Sequence, residues 1–161
     1  METRKATERR PTSAGVNVAP AVYYLVGLLA GFGFDLAVDA EPSLPGWVKK
    51  VGGALVVGGG GVLLAGLVTL WRAGTAIDPM KTSTALVTHG VYDLTRNPGY
   101  LGGSVLYAGV ALLGGSVASL LLLPAVVAFV QRLVIRREEA YLRQVFGTSY
   151  EDYCSRVRRW L

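Results

Sequence analysis

Residues 97–131 read NPGYLGGSVLYAGVALLGGSVASLLLLPAVVAFVQ, and no charged side chain interrupts them. A helix needs about 20 apolar residues, at roughly 1.5 Å each, to cross the hydrocarbon core of a bilayer. This run is too long for one comfortable crossing. Gly114, Gly115 and Ser116 near its middle supply turn chemistry, so a helical hairpin is expected, with arms at about 99–113 and 117–135. The first arm is short and should tilt or stop shy of a full span. Pro98 sets its start, since proline suits the first turn of a helix.

Two further apolar runs precede the hairpin. Residues 51–71 are also free of charge and give a span over about 47–71. Its run Gly58, Gly59, Gly60, Gly61 should form a flat face, for packing rather than for a ligand. An earlier span, about 18–38, carries Gly27 and Gly31 four residues apart, which lets another helix approach closely. These glycines could serve packing within one chain or between chains, so the oligomeric state stays open. Asp35, Asp39 and the turn-rich Glu41, Pro42, Ser43, Leu44, Pro45, Gly46 end that span. The expected fold class is an all-α integral membrane protein with about four transmembrane helices, the hairpin included, and a C-terminal amphipathic helix.

Length and composition agree. The 161 residues suit one domain, 16–161, behind a charged, Thr- and Arg-rich tail over 1–15 that reads as disordered and cytoplasmic. A cleaved signal peptide is not expected, because the apolar segment begins late and no small-residue cleavage site follows. Hydrophobic residues make up 52% of the chain and mean hydropathy is +0.42. The net charge of +5 does not point to nucleic acid, since the basic residues flank the apolar runs, where they meet lipid headgroups. The single cysteine, Cys154, excludes an intrachain disulfide, and the single histidine, His89, excludes a His-rich metal site. Membrane lipids are the expected partners, with neither nucleic acid nor metal.

Orientation follows from the basic residues. Arg4, Lys5, Arg9 and Arg10 precede the first span; Arg72, Lys81 and Arg96 follow the second; Arg132, Arg136 and Arg137 close the hairpin. Four crossings bring all of these to one side, expected to be cytoplasmic at an inner or plasma membrane, with both termini and the polar segments there. Lys49 and Lys50 fall on the other side, partly offset by Asp39 and Glu41.

Past the hairpin, Tyr141, Leu142, Val145 and Phe146 share a helical face, and Gly147 is a stop signal. Thr148 with Glu151 three residues on resembles a capping box. Tyr150, Tyr153, Val157 and Trp160 then make an apolar stripe on a cationic segment, which should lie along the membrane or over the polar loop.

That loop, 72–97, is long enough to be functional. The hairpin returns the chain from Arg96 to Arg137, so His89, Tyr92, Arg96, Asn97 and Tyr100 should share one mouth with Glu138 and Glu139. Taken singly, such residues snorkel, cap or face solvent. Together they form a constellation at a membrane border, where polar groups are costly unless solvated or used.

The segments Leu86, Val87, Thr88, His89, Gly90, Val91, Tyr92 and Thr95, Arg96, Asn97, Pro98, Gly99, Tyr100, Leu101, Gly102 resemble the signature of the isoprenylcysteine carboxyl methyltransferases. So does Glu138, Glu139, Ala140, Tyr141, Leu142, followed by Phe146, Gly147, Tyr150, Tyr153 and the closing Val157, Arg158, Arg159, Trp160. The related phospholipid N-methyltransferases share the paired glutamates. The resemblance covers about 74–161, which would be the catalytic region. It implies a membrane enzyme that binds S-adenosyl-L-methionine in a cytoplasm-facing pocket without a Rossmann fold and releases S-adenosyl-L-homocysteine. No G-x-G-x-x-G stands between a strand and a helix here.

Carried over by position, the cofactor-binding residues would be His89, Gly90, Tyr92, Arg96, Pro98, Tyr100, Leu101, Glu138 and Glu139, and the catalytic ones Arg96, Asn97 and Glu139. Asn97 stands where many members carry histidine; it hydrogen-bonds but carries no charge. The chemistry suits the cofactor. Arg96 could pair with its carboxylate, the glutamates could accept from its ammonium and ribose, and Tyr92 or Tyr100 could face its sulfonium. The implied reaction is methylation of a lipophilic, isoprenoid-like or lipid acceptor at a carboxyl group. That acceptor would arrive sideways from the bilayer, between the hairpin and the second span. An amine acceptor would need a base, for which His89 is the candidate. The alternatives are a phospholipid or amine N-methyltransferase and an inactive membrane scaffold of the same fold.

Overall fold

Six α-helices carry the chain in a computed structural model that describes residues 13–16, 18–39, 44–78 and 80–161. Helix α1 spans Pro20–Ala37 and α2 spans Gly46–Arg72. After a long connection come α3 (Pro98–Gly114), α4 (Val117–Val130), a π-helical turn at Gln131–Ile135, α5 (Arg136–Phe146) and α6 (Thr148–Arg156). No strand occurs among the described residues. Among the described residues three helices are long and apolar enough to cross a membrane: Pro20–Ala37, Gly46–Arg72 and the continuous Val117–Phe146. The 17 residues of α3 reach about 25 Å, just short of the roughly 30 Å hydrocarbon core, as the short first arm led one to expect.

The hairpin turns where its small residues stand. Gly115 takes the left-handed conformation (φ +72°) that side chains resist, and Ser116 caps α4 by accepting from the Ser119 amide at 3.1 Å. Asp35 of α1 reaches the same corner, accepting from the Ser116 hydroxyl and, at 3.4 Å, from the Ala118 amide. A carboxylate at the positive end of α4 is well situated there.

Two antiparallel seams assemble the bundle. In the first, a Cβ on Gly27 would meet Val126, and one on Gly31 would meet the Ser119 backbone at 2.5 Å, so α1 lies directly on α4. In the second, Gly52, Gly59 and Gly66 of α2 recur every seven residues and face Gly109, Gly102 and Pro98 of α3. A Cβ on Gly59 would stand 2.5 Å from the Leu106 amide nitrogen, and one on Gly102 2.5 Å from that of Leu63. The expected flat face of Gly58–Gly61 reduces to Gly59 alone: its three companions have open space where a side chain would go.

These pairings bring Arg72, Pro98 and Ile135 to one end and Ala37, Gly46 and Gly114 to the other. The polar segments gather at the first end, as expected. The tail packs over the polar loop: Tyr150, Tyr153 and Val157 form a cluster with Leu86 and Tyr92. Two local expectations change. Gly147 at φ +52° is the N-cap of α6 and Thr148 is its first residue, so no capping box forms. Ala14 and Val16 join the buried core of Val130, Val134 and Tyr141, and Arg137 donates to the Gly15 carbonyl at 3.0 Å. Packed chain therefore begins within the segment expected to be a tail. Residues 1–12, with Arg4, Lys5, Arg9 and Arg10, lie outside the described residues, as do 40–43 with Glu41.

Candidate active site

Thr95, Arg96 and Asn97 sit where the long loop enters α3, strapped down by the C-terminal tail. The Arg96 amide donates to the Arg158 carbonyl at 3.0 Å. Thr95 Oγ1 and Asn97 Nδ2 both donate to the Arg159 carbonyl, at 3.1 and 3.0 Å. Trp160 Nε1 adds a bond to Gln131 Oε1 at 2.8 Å, in the π-helical turn from which α5 leaves. The strap therefore ties together the two segments that the sequence expects to converge.

Converge they do. Glu139 is buried and holds three arginines: Arg159 grips it with two bonds of 2.8 and 2.6 Å, Arg96 Nη1 lies 3.4 Å away, and Arg143 lies at 4.0 Å. A buried carboxylate is tolerable only with partners of this kind. The neighbouring Glu138 faces elsewhere and accepts from the Tyr100 hydroxyl at 2.8 Å. Arg96 donates through Nη1 to Cys154 Sγ, while its Nε is buried with no hydrogen-bond partner. An orphaned guanidinium nitrogen costs free energy unless a ligand uses it.

Two cavities meet at this cluster. A small one of about 70 Å³ is enclosed by the loop, α5 and α6, with Thr75, Ser83, Glu139, Tyr150 and Tyr153 on its walls beside Leu86 and Leu142. A larger, mainly apolar cleft of about 590 Å³ runs between α1, α2 and α3, past Tyr24, Leu28, Leu67, Gly103 and Val110. Tyr92, Arg96, Asn97, Glu138 and Leu70 line both, so they form the shared wall. The cleft has the size of an ordinary small-ligand pocket. The cleft is walled by α2 and the hairpin's α3, the elements expected to admit the acceptor, and on its third side by α1, which makes next to no contact with α2.

Of the site residues expected from sequence, Tyr92, Arg96, Asn97, Pro98, Tyr100, Glu138 and Glu139 line one or both cavities. His89, Gly90 and Leu101 line neither, and His89 is exposed at the start of the 3-10 turn Gly90–Asp93. Sequence reasoning passed over Arg159, Tyr150 and Tyr24 as site residues. For Arg159 the signal was available, since it stands in the closing Arg158, Arg159, Trp160. Electrostatics follow from burial. Tyr92, Tyr150 and Tyr153 are all held above the usual phenol value, chiefly by desolvation, and Tyr153 donates to the Tyr92 carbonyl at 2.7 Å. Arg159 is raised by its bonds to Glu139. Among the described residues no three His, Cys, Asp or Glu side chains gather to hold a metal ion.

Fold and site together define a polytopic helical membrane protein whose cluster of charged and polar side chains, at one end of the bundle, adjoins a mainly apolar cleft. A family model described as phospholipid methyltransferase matches residues 47–149, which take in α2 but for its first residue, α3, α4 and the paired glutamates. The chain belongs to the phospholipid methyltransferase family. Similar curated proteins include a "Probable protein-S-isoprenylcysteine O-methyltransferase" of Oryza sativa subsp. indica, 32% identical over 117 residues, 71% of this chain and 61% of that protein. Protein-S-isoprenylcysteine O-methyltransferase A of Arabidopsis thaliana is 32% identical over 115 residues, 69% of this chain and 57% of its own length. The protein-S-isoprenylcysteine O-methyltransferase of Schizosaccharomyces pombe is 43% identical over 74 residues, 45% and 30% of the two chains. This chain thus spans about three fifths of the plant proteins it matches.

Proposed function

We propose that this protein is a membrane methyltransferase that uses S-adenosyl-L-methionine to methylate a lipophilic acceptor, at a carboxyl group. The observation that carries the reading is the shared wall of Tyr92, Arg96, Asn97 and Glu138, where a small cavity bordered by Thr75, Ser83 and Glu139 meets a mainly apolar cleft. A water-soluble methyl donor and a lipid acceptor need such a junction, and each would approach it from its own side.

The residues present fit the cofactor. Arg96, with its unpartnered Nε, would hold the carboxylate, and Glu138 would accept from the ammonium or the ribose hydroxyls. Tyr92 and Tyr100 would present aromatic faces to a cation. Glu139, already gripped by arginines, would anchor Arg96 rather than meet the ligand. When bound, S-adenosyl-L-methionine supplies an electrophilic methyl group on a sulfonium. The chain's own contribution is alignment and exclusion of water, both worth large factors in an in-line displacement. Asn97 fixes the wall by donating to the Arg159 carbonyl, and it can do so without carrying charge. A carboxylate acceptor needs no general base, which suits a wall without a histidine.

Methylation of a phospholipid amine is the second reading. It is favoured by the two carboxylates, Asp78 and Glu138, that line the cleft, where a cationic headgroup would sit well. Incubating the purified protein with methyl-labelled cofactor and extracted membranes separates the readings. Base-labile label is expected and marks an ester; base-stable label marks an amine. Arg96→Ala should cut affinity for S-adenosyl-L-homocysteine by roughly 10- to 100-fold, the worth of a charge-assisted pair, while leaving the protein folded. Wild-type protein that transfers no label and binds neither form of the cofactor at millimolar concentration would end the enzyme reading and leave a scaffold.

A further inference from the structure

We infer that Arg159 is a positioning residue for the cofactor site: it saturates Glu139 and so keeps the Arg96 guanidinium available to a ligand. The inference rests on the reading of this site as a cofactor pocket, and it extends that reading to a residue outside the two cavity linings.

The geometry is a competition for one buried carboxylate, in which Arg159 and Arg96 are the near contenders and Arg143, at 4.0 Å, is a more exposed third. Arg159 holds both oxygens of Glu139 in a fork, through Nε at 2.8 Å and Nη2 at 2.6 Å. Arg96 approaches the same carboxylate only through Nη1 at 3.4 Å, and that nitrogen also contacts Cys154. Its Nε has no partner. A bidentate guanidinium–carboxylate pair is the strongest arrangement open to either arginine, and Glu139 can form only one such fork. With Arg159 occupying it, Arg96 is left half-committed at the shared wall. Were Arg159 absent, Glu139 would be a buried, under-partnered carboxylate, and Arg96 would rotate onto it.

The backbone of the same residue fastens the rest of the wall. The Arg159 carbonyl accepts from both Thr95 and Asn97, which flank Arg96. The fork with Glu139 therefore pins the strap to α5, and the strap pins the segment that carries Arg96. One residue sets both the direction of the Arg96 backbone and the freedom of its side chain.

The test is calorimetric binding of S-adenosyl-L-homocysteine to full-length protein in detergent, for wild type, Arg159→Gln, Arg159→Lys and the double variant Arg159→Gln/Glu139→Gln. Arg159→Gln should bind at least 10-fold more weakly. Arg159→Lys, which returns the charge without the fork, should recover part of that loss. The double variant removes the carboxylate that would capture Arg96 but also the fork that pins the strap, so it should recover only part of the loss, binding at least threefold more tightly than Arg159→Gln. A merely structural arginine would show no such rescue. Arg159→Gln binding like wild type, or a double variant no better than the single one, would overturn the inference. If Arg159→Gln does not fold, Arg159→Lys decides alone: it should bind at least threefold more weakly than wild type, and wild-type affinity would overturn the inference. Wild-type protein that binds no cofactor refutes the underlying reading, an outcome distinct from wild-type binding that Arg159→Gln leaves unchanged.

Discussion

At the scale of the residue, the site depends on how buried polar groups find partners. Tyr153 shows the effect most simply, because its hydroxyl donates to the Tyr92 carbonyl at 2.7 Å and so ties α6 to the loop. Tyr153→Phe should cost about 1 kcal/mol at neutral pH, the worth of one such bond, read as a lower melting temperature in detergent. The pH dependence has a definite sign. Tyr92, Tyr150 and Tyr153 are raised from 10.0 by burial, so the folded chain retains phenolic protons that the unfolded chain sheds above that value. The stability tied to these protons is fully present below pH 10 and declines as pH rises above it. Melting temperature should therefore fall steeply on the alkaline side, and less steeply in Tyr153→Phe. Equal alkaline slopes in the two proteins would rule out Tyr153 as a contributor. Much of this site was legible in sequence, because Arg96, Asn97 and the paired glutamates stand at the two ends of an uncharged run whose folding is forced. The grip of Arg159 on Glu139 was not, since it depends on a strap and a fork that no local pattern encodes.

At the scale of the element, small residues decide which helices touch. Runs and turns were readable because they are local: the uncharged length of 97–131, the glycines at its middle, Pro98 at its start. Pairing register is a long-range property, and here the conspicuous cue misled. The run Gly58–Gly61 stands out by eye, yet the contact is carried by the heptad Gly52, Gly59, Gly66 that passes through it. A seven-residue repeat keeps one stripe of α2 on α3 along its length. Gly59→Ala should therefore destabilise by about 1–3 kcal/mol, because its Cβ would collide with backbone atoms of Gly102 and Leu106 that have nowhere to move. Gly58→Ala and Gly61→Ala, which face open space, should be neutral or raise stability by up to about 1 kcal/mol through helix propensity. Thermal unfolding of the three variants in one detergent checks the contrast; a Gly59→Ala protein as stable as Gly58→Ala would mean that the seam is looser than described.

At the scale of the whole molecule, the two seams sort the chain's chemistry by end. Because α1 and α4 are antiparallel and α2 and α3 are antiparallel, the long loop, α5, α6 and the strap must emerge together, beside the start of α1. The opposite end presents the start of α2, with exposed Lys49 and Lys50. Sequence alone left these lysines in tension with the basic residues at the site end, since a charge count weighs them against one another. The bundle resolves which groups share an end whatever the count, because a pairing cannot be reversed without undoing the glycine contacts. The prediction is that the site end faces the cytoplasm, the side on which most of the cationic side chains belong. Single cysteines introduced into a Cys154→Ser background test this directly with a membrane-impermeant maleimide. In intact cells Lys49→Cys should label and Lys81→Cys should not; after the membrane is opened, both should. Labelling of Lys81→Cys from outside would invert the orientation while keeping the fold. Labelling of both from outside in intact cells would mean that α2, the helix between those residues, does not cross the bilayer.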